Sequence, residues 1–471
     1  MRELLRKSPR FFAITAVIAL ALRLLFVFTS PHITDDSRIY ADIAKNWLGH
    51  GIYGITDSGQ VVPTYIRLPG YPAFLATTFA LLGEDNFRAV LLLQVLFDLG
   101  TCFVVTDLAR RMLGNRTACA AFLLTALCPF LANYTGAALT ETLEVFFTAL
   151  ALDFATIGSR ELDAGRLLPW LWCGLAIFAN ISLRPDGGLL LAAIGLYLLL
   201  LLVRAVRAHQ PRFRLFAAGV VLTVFALGPF VPWTIRNWRV FHRFQPLTSR
   251  YANGPDDFVP LGFNHWVKTW MADYVSVEEI YWQEPGAKID PQDLPNRAFD
   301  SLEQKQETLE AINWYNETTE IDAELDTQFE ALAKQRVEHS RLRYYVWLPL
   351  LRIADMWLRP RTELLPPDPR WWLLEDDVKW MALSLGFGAI NLAYIVMAIL
   401  GVVSVARARR GSTQGRLASA KTPTYLGLLV IFLLLRSAFL GTLENPEPRY
   451  TLECYPAVIV CATALFREKS V

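Results

Sequence analysis

The sequence predicts an all-α polytopic membrane protein. Three observations predict it. Hydrophobic residues make up 54% of the 471 residues and charged residues only 19%. Apolar stretches long enough to span a bilayer, about 20 residues each, recur along the chain. Lys and Arg collect in alternate connections between those stretches. A soluble domain carries more charge, about a quarter of its residues. The composition therefore excludes a disordered chain, a basic nucleic-acid binder and an ordinary cytosolic enzyme. The net charge of +1 conceals a division. Residues 251–340 hold 19 Asp and Glu against 6 Lys and Arg, a balance of −13, and the remainder balances at +14.

Taken in order, the chain opens with Arg2, Arg6, Lys7 and Arg10, then runs apolar from Phe11 to Thr29. That run is long enough to span, so it predicts an uncleaved signal anchor. Ten apolar stretches follow the same criterion: 11–29, 87–108, 117–136, 140–157, 167–183, 188–206, 215–233, 380–405, 423–440 and 450–466. Basic residues follow the second (Arg110, Arg111, Arg116), the sixth (Arg204, Arg207, Arg212, Arg214), the eighth (Arg407, Arg409, Arg410, Arg416, Lys421) and the tenth (Arg467, Lys469). The positive-inside rule puts these connections and both termini in the cytoplasm. Tyr71–Leu82 is too short to span and would reverse every later connection, so it predicts a juxtamembrane or half-inserted helix.

Two long outer connections result, dividing the chain into an N-terminal membrane module (1–233, with a first outer loop 30–86), a second outer loop (234–379) and a C-terminal membrane module (380–471). Within the second loop, residues 300–340 are rich in Glu, Gln, Ala and Leu, which favours exposed helices. Tyr344–Leu358 then places Trp347, Leu350, Leu351, Ala354 and Leu358 at helical spacing, the pattern of an amphipathic helix on the outer membrane surface. The six cysteines lie mostly in apolar runs without metal-type spacing and read as small core hydrophobes.

Charges at the outer ends of the spans are the informative residues, because charge in or beside lipid is costly and faces a cavity, a partner or a pathway. Asp35, Asp36 and Arg38 follow the first span, and Arg67 ends that loop. Glu141 and Glu144 open the fourth span. Arg184 and Asp186 lie between the fifth and sixth. Arg236 and Asn237 follow the seventh. Glu444, Glu447 and Arg449 lie between the ninth and tenth. Each has a plainer reading. Asp35 and Asp36 would cap a helix starting near Ser37. Glu141 would complement the dipole of its helix, Glu144 would be a membrane-end charge, and the arginines would meet lipid headgroups. Jointly, acids and arginines meeting at one membrane level suit transfer of a group from a lipid phosphate to an alcohol. Arg offers a fork for phosphate oxygens, and a carboxylate accepts the hydroxyl proton. Paired acids equally suit a divalent cation, Mg2+ or Mn2+, and the residues leave the two roles open.

With those residues the chain resembles the membrane-embedded GT-C glycosyltransferases that use polyprenyl-phosphate sugars. The nearest branch is the bacterial glycosyltransferase family 39-like group, similar to protein O-mannosyltransferases and the lipid A aminoarabinose transferase. The matching pieces are Asp36 through Tyr40 to Ala44, Arg67 through Pro69, Gly70 and Pro72, Leu139-Thr140-Glu141, Arg184-Pro185-Asp186-Gly187, Pro232-Trp233 through Arg236-Asn237, and Glu447 through Arg449-Tyr450 to Pro456. The resemblance implies a GT-C-like bundle of about ten transmembrane helices with juxtamembrane helices in both long outer loops. It implies Asp36 as the catalytic base, with Asp35, the other acid of the motif, as the alternative for that work and Glu141 as the second acid of the active site. Arg67, Arg184, Arg236 and Arg449 become donor-phosphate ligands, and Tyr40, Glu447 and Tyr450 substrate contacts. Any metal would lie on Asp35, Asp36 and Glu141. The implied partners are a polyprenyl-phosphate-linked sugar, a hydroxyl acceptor and the bilayer, with no nucleic acid. The implied place is the outer face of a bacterial cytoplasmic membrane, and the implied chemistry is inverting transfer. The competing class is a transporter or flippase of lipid-linked sugars, which needs symmetric repeats or mid-membrane charges. Arg23, Asp98, Asp107, Asp153 and Arg436 form no symmetric set.

Overall fold

Backbone groups inside a bilayer find no water and must bond within their own segment, so apolar runs fold as helices. The structure is a computed structural model that describes residues 1–209, 212–372, 378–411 and 422–468. Arg416, Lys421 and Lys469, named above for orientation, lie outside the described residues. The chain divides into two compact units. The first comprises Met1–Pro255, Ala393–Leu433 and Leu452–Val471, and the second Asp256–Leu392 and Leu434–Thr451.

The first unit begins with α1 (Arg2–Lys7) and α2 (Pro9–Thr29), separated at Ser8 because Pro9 starts a new helix. The first outer loop contains α3 (Asp35–His50), a hairpin of β1 (Gly54–Asp57) and β2 (Gln60–Pro63), and α4 (Gly70–Leu82). Helix α3 is started by a capping box between Thr34 and Ser37 and stopped by Gly51 at φ +67°, the left-handed region that glycine enters without strain. Thr34 is thus the cap, and Asp35 and Asp36 occupy the first helical turn. This corrects the expectation that the two acids precede a helix starting near Ser37. Next come α5 (Phe87–Leu113), α6 (Asn115–Ala126), α7 (Pro129–Tyr134), α8 (Glu141–Glu161), α9 (Leu168–Leu183), α10 (Gly188–Arg207), α11 (Phe213–Leu227) and α12 (Val231–Phe241).

The acidic loop folds in the second unit as α13 (Leu261–Lys268), α14 (Tyr274–Glu279), α15 (Leu302–Thr318), α16 (Ala323–His339) and α17 (Leu348–Leu358). Ser301 and Asp322 cap α15 and α16. These helices close over a core that includes Phe263, Trp266, Trp270, Tyr315 and Phe329, so the acidic segment has an interior of its own. On α17 the expected stripe is exposed at Leu350, Leu351 and Leu358, with Trp347 just before it, while Leu348, Arg352 and Met356 turn inward. The remaining helices are α18 (Val378–Gly411), α19 (Thr422–Leu440) and α20 (Tyr455–Thr463).

Among the described residues, six helical stretches are long and apolar enough to cross a membrane: Pro9–Thr29, Phe87–Leu113, Glu141–Ala164, Pro185–Arg207, Phe213–Phe241 and Val378–Ala408. The other four stretches expected to span are shorter or broken. Residues 117–136 form α6 and α7, interrupted where Pro129 restarts the chain. Helix α9 has 16 residues, and Tyr425–Leu440 is a shorter apolar helix. Residues 450–466 form two 3-10 turns around the nine residues of α20. The segment expected to be half-inserted is α4, with 13 residues.

Candidate functional site

The first outer loop builds one charge pair. Asp36, in the first turn of α3, accepts a hydrogen bond from Arg67 Nη2 at 2.7 Å. Arg67 stacks its guanidinium over the Tyr40 ring at 5.6 Å, one helical turn beyond Asp36. Tyr40 packs edge-on against Tyr71 at 5.0 Å, and the Tyr71 hydroxyl donates to Gln94 Oε1 at 2.8 Å. Burial raises the Tyr40 phenol above its ordinary range; Arg67 opposes that shift and Asp36 adds to it. The two acids of the Asp35-Asp36 motif are therefore separated. The Asp35 side chain is 94% exposed and meets Arg38 at 3.3 Å, whereas that of Asp36 is 35% exposed against Arg67.

The second cluster surrounds Arg184. Its guanidinium lies 3.6 Å from Glu141, 3.7 Å from Glu144 and 3.4 Å from Asp186. Glu141 and Glu144 share a face of α8 by their spacing of three and are both buried. Asn180 of α9 steadies this corner by donating to the Glu144 carbonyl at 3.0 Å and to Thr148 Oγ1 at 2.9 Å. Thr148 in turn donates to Glu453 at 2.8 Å. Reading Glu144 as a simple membrane-end charge is thus corrected. Its spacing from Glu141 was the available signal. Asp186, two residues after Arg184 in the same turn, was singled out in the sequence without a role, and Glu453 was missed because it arrives from another element.

Arg236 is used differently. Nη1 donates to the Thr64 carbonyl at 2.7 Å and Nη2 to the Tyr53 carbonyl at 2.7 Å, and Nη1 also reaches Asn237 Oδ1 at 2.9 Å. The rings of Tyr53, Trp233 and Phe241 surround it at 5.1–5.5 Å. It pins the first outer loop to α12. Intramembrane charges are likewise paired. Arg23 meets Asp98 at 2.7 Å in a buried contact, and Arg111 reaches both Asp107 and Asp153.

The remaining expected residues belong to the second unit. Arg449 Nε meets Glu447 Oε2 at 2.6 Å, and the guanidinium lies over the Tyr450 ring at 5.5 Å. The Tyr450 hydroxyl donates to Glu447 Oε1 at 2.5 Å, and Asn445 Nδ2 to the same oxygen at 3.1 Å. Glu447 is 2% exposed, so this hydrogen-bonded turn is a fixed unit. Buried Arg361, which no sequence pattern singles out, donates to the Pro448 carbonyl at 3.0 Å and to Thr451 Oγ1. Among the described residues no group of three His, Cys, Asp or Glu side chains is gathered to hold a metal ion. Of the acids named for a cation, Asp35 meets Arg38, Asp36 meets Arg67 and Glu141 meets Arg184. That donor set does not fit a divalent ion.

The architecture defines a class, the all-α polytopic membrane proteins. Residues 67–233 match the family described as dolichyl-phosphate-mannose-protein mannosyltransferase. The fold is shared with the Archaeoglobus fulgidus oligosaccharyltransferase solved with a tethered acceptor peptide, at a TM-score of 0.51 and 14% identity over 98% of this chain and 50% of that one. ArnT from Cupriavidus metallidurans bound to undecaprenyl phosphate aligns at a TM-score of 0.39 and 16% identity, over 91% of this chain and 77% of that one. No curated protein sequence matches the chain. The chain is thus similar to that family over residues 67–233 and shares the fold of the oligosaccharyltransferase. It spans about half the length of the archaeal oligosaccharyltransferase it matches.

Proposed function

We infer that the protein transfers a sugar from a polyprenyl-phosphate donor to a hydroxyl acceptor at the outer face of a bacterial cytoplasmic membrane. The observation that carries this reading is the Asp36–Arg67 pair, a carboxylate and a guanidinium 2.7 Å apart at the start of a juxtamembrane helix. Asp36 takes the proton of the acceptor hydroxyl. The hydroxyl oxygen attacks the anomeric carbon, the bond from that carbon to the phosphate oxygen breaks, and polyprenyl phosphate leaves with the electron pair. Direct displacement inverts the anomeric centre. The matched family's description names dolichyl-phosphate mannose, a sugar carried on a lipid phosphate, which supports a lipid-phosphate donor.

Within the first unit the three arginines are not equivalent as phosphate ligands. Arg236 donates to backbone carbonyls. Arg184 is already engaged by Glu141, Glu144 and Asp186, which compete with a phosphate for its guanidinium. Arg67 faces the single carboxylate of Asp36. Arg67 therefore holds the leaving phosphate, and the Arg184 cluster fixes the floor beneath Glu141. Arg449, Glu447 and Tyr450 keep their proposed substrate contacts through the turn they form in the second unit. No step runs through a metal ion. The test incubates the purified protein with labelled polyprenyl-phosphate sugars and hydroxyl acceptors. Transfer with release of polyprenyl phosphate is expected. Movement of the intact lipid across a vesicle membrane without acceptor, and no transfer, would replace this reading with a flippase.

A further inference from the structure

Glu363 stands in the turn between α17 and α18, in the second unit. Both of its carboxyl oxygens are buried, and among the described residues neither has a hydrogen-bond partner on another residue, its own backbone being the one group that favours the charged form by a hydrogen bond. Buried carboxyl oxygens are almost always hydrogen-bonded, and each exception needs an explanation. The nearby cations do not supply one. Arg359 is directed to Asp355 at 3.5 Å and to the Pro369 carbonyl. Arg361 spends its nitrogens on Asn391, the Met356 and Pro448 carbonyls, and Thr451. A second acid, Glu278, bonds the Tyr274 hydroxyl close by, and the Tyr274 ring lies under Arg359 at 5.3 Å. Burial raises both Glu278 and Glu363 above the usual carboxylate range, Arg361 opposing it at Glu363 and Glu278 adding to it. The Arg361 bond to the Pro448 carbonyl ties this corner to the Glu447–Arg449–Tyr450 turn.

We propose that Glu363, with Glu278 and Tyr274, forms a saccharide subsite in which the Glu363 carboxyl oxygens accept hydrogen bonds from adjacent sugar hydroxyls. A carboxylate has two acceptor oxygens with about four lone-pair positions, which suits two neighbouring hydroxyl donors. Anions are disfavoured, because the surrounding acids outnumber the arginines still directed toward Glu363. The sugar comes either from the lipid donor or from a glycan acceptor. The recognition chemistry is the same for both.

The test uses the full chain in detergent, with methyl mannoside as probe, no lipid donor, and glycerol as a control for general solute stabilisation. Ligand binding to the folded state raises the melting temperature. Wild-type protein should shift upward with methyl mannoside beyond the glycerol effect. Glu363→Leu, of similar size, should melt at or above the unliganded wild type and lose the mannoside-specific shift. Glu363→Gln should fold equally well with a reduced shift. A Glu363→Leu protein melting well below wild type would assign Glu363 to the fold and overturn the proposal. So would an equal shift in both proteins, or none in either. Because no donor is present, a mannoside shift without transferase activity keeps the subsite and removes the transferase reading. Where transfer is measured, a rise in KM for the labelled donor in Glu363→Gln marks the donor sugar. A rise in KM for the acceptor marks the glycan.

Discussion

Replacing Asp36 by Asn keeps the shape of the side chain and removes its capacity to take a proton. A positioned general base contributes about 10²–10⁴-fold to rate, or about 3–5 kcal/mol of barrier at about 1.4 kcal/mol per decade. The fold has little at stake. The Asp36 and Arg67 side chains are 35% and 18% exposed. A partly exposed pair of this kind contributes about 0–1 kcal/mol, which moves the melting temperature of a chain this long by only about 1 °C. Asp36→Asn is therefore expected to lose transfer by at least about two decades while melting near wild type. The assay pairs transfer from a labelled polyprenyl-phosphate sugar with melting of the same preparation. Asp35→Asn is the control, since the Asp35 side chain is solvent-exposed and pairs with Arg38 on the helix surface. It should stay close to the wild-type rate. Wild-type transfer by Asp36→Asn, or a loss matched by unfolding, would refute the base assignment.

Arg236→Lys should destabilise the first outer loop, because one ammonium cannot serve two carbonyls and three rings. Losing one charge-assisted bond costs about 1.5–3 kcal/mol, read as a lower melting temperature with faster proteolysis between residues 51 and 69. Gly70→Ala puts a Cβ 2.6 Å from the Ser182 carbonyl. Such crowding costs about 1–3 kcal/mol, and melting of the variant should show it. Burial, with Asp326 adding to it, raises the Glu284 carboxyl from 4.5 to about 7. The folded state then holds a proton that the unfolded chain releases, so stability falls as pH rises from 4.5 to about 7 and stays reduced above that. Glu284→Gln should melt higher than wild type at pH 8 and close to it at pH 4, where both states are protonated. Chelation of divalent cations is expected to leave transfer unchanged, since each candidate acid faces an arginine. Loss on chelation with recovery on Mn2+ would overturn that.

Hydropathy made the helical membrane class legible, and loop length made α4 legible as a segment too short to span. Span continuity was less so. Pro129 stands inside an apolar run of the right length, and proline both starts helices and is tolerated within membrane helices. Only packing decides between those outcomes, and here it separates α6 from α7. The interior of the acidic loop was hidden for a different reason. Its aromatic anchors Phe263, Trp266 and Trp270 precede the charged helices in sequence, while within them Tyr315, beside Trp314, and Phe329 are isolated among charged residues.

The site shows the same limit at finer grain. Residue types and their order pointed to Asp36, Arg67, Glu141 and Arg184, yet could not apportion their roles. Successive residues on a helix project about 100° apart, so Asp35 and Asp36 cannot both face Arg67, and sequence does not say which turns inward. Arg67 and Arg236 make the contrast plainer, being the same residue type at the ends of outer connections. Arg67 meets a carboxylate that two side chains announce. Arg236 meets carbonyls of residues 172 and 183 positions away, acceptors that every residue carries and no sequence pattern marks. What an arginine does at a membrane surface is set by the acceptors the fold brings to it. Side-chain acceptors leave a trace in composition, and backbone acceptors leave none. The proposed phosphate role therefore goes to Arg67, which meets a side-chain carboxylate, and not to Arg236, whose nitrogens bond backbone carbonyls.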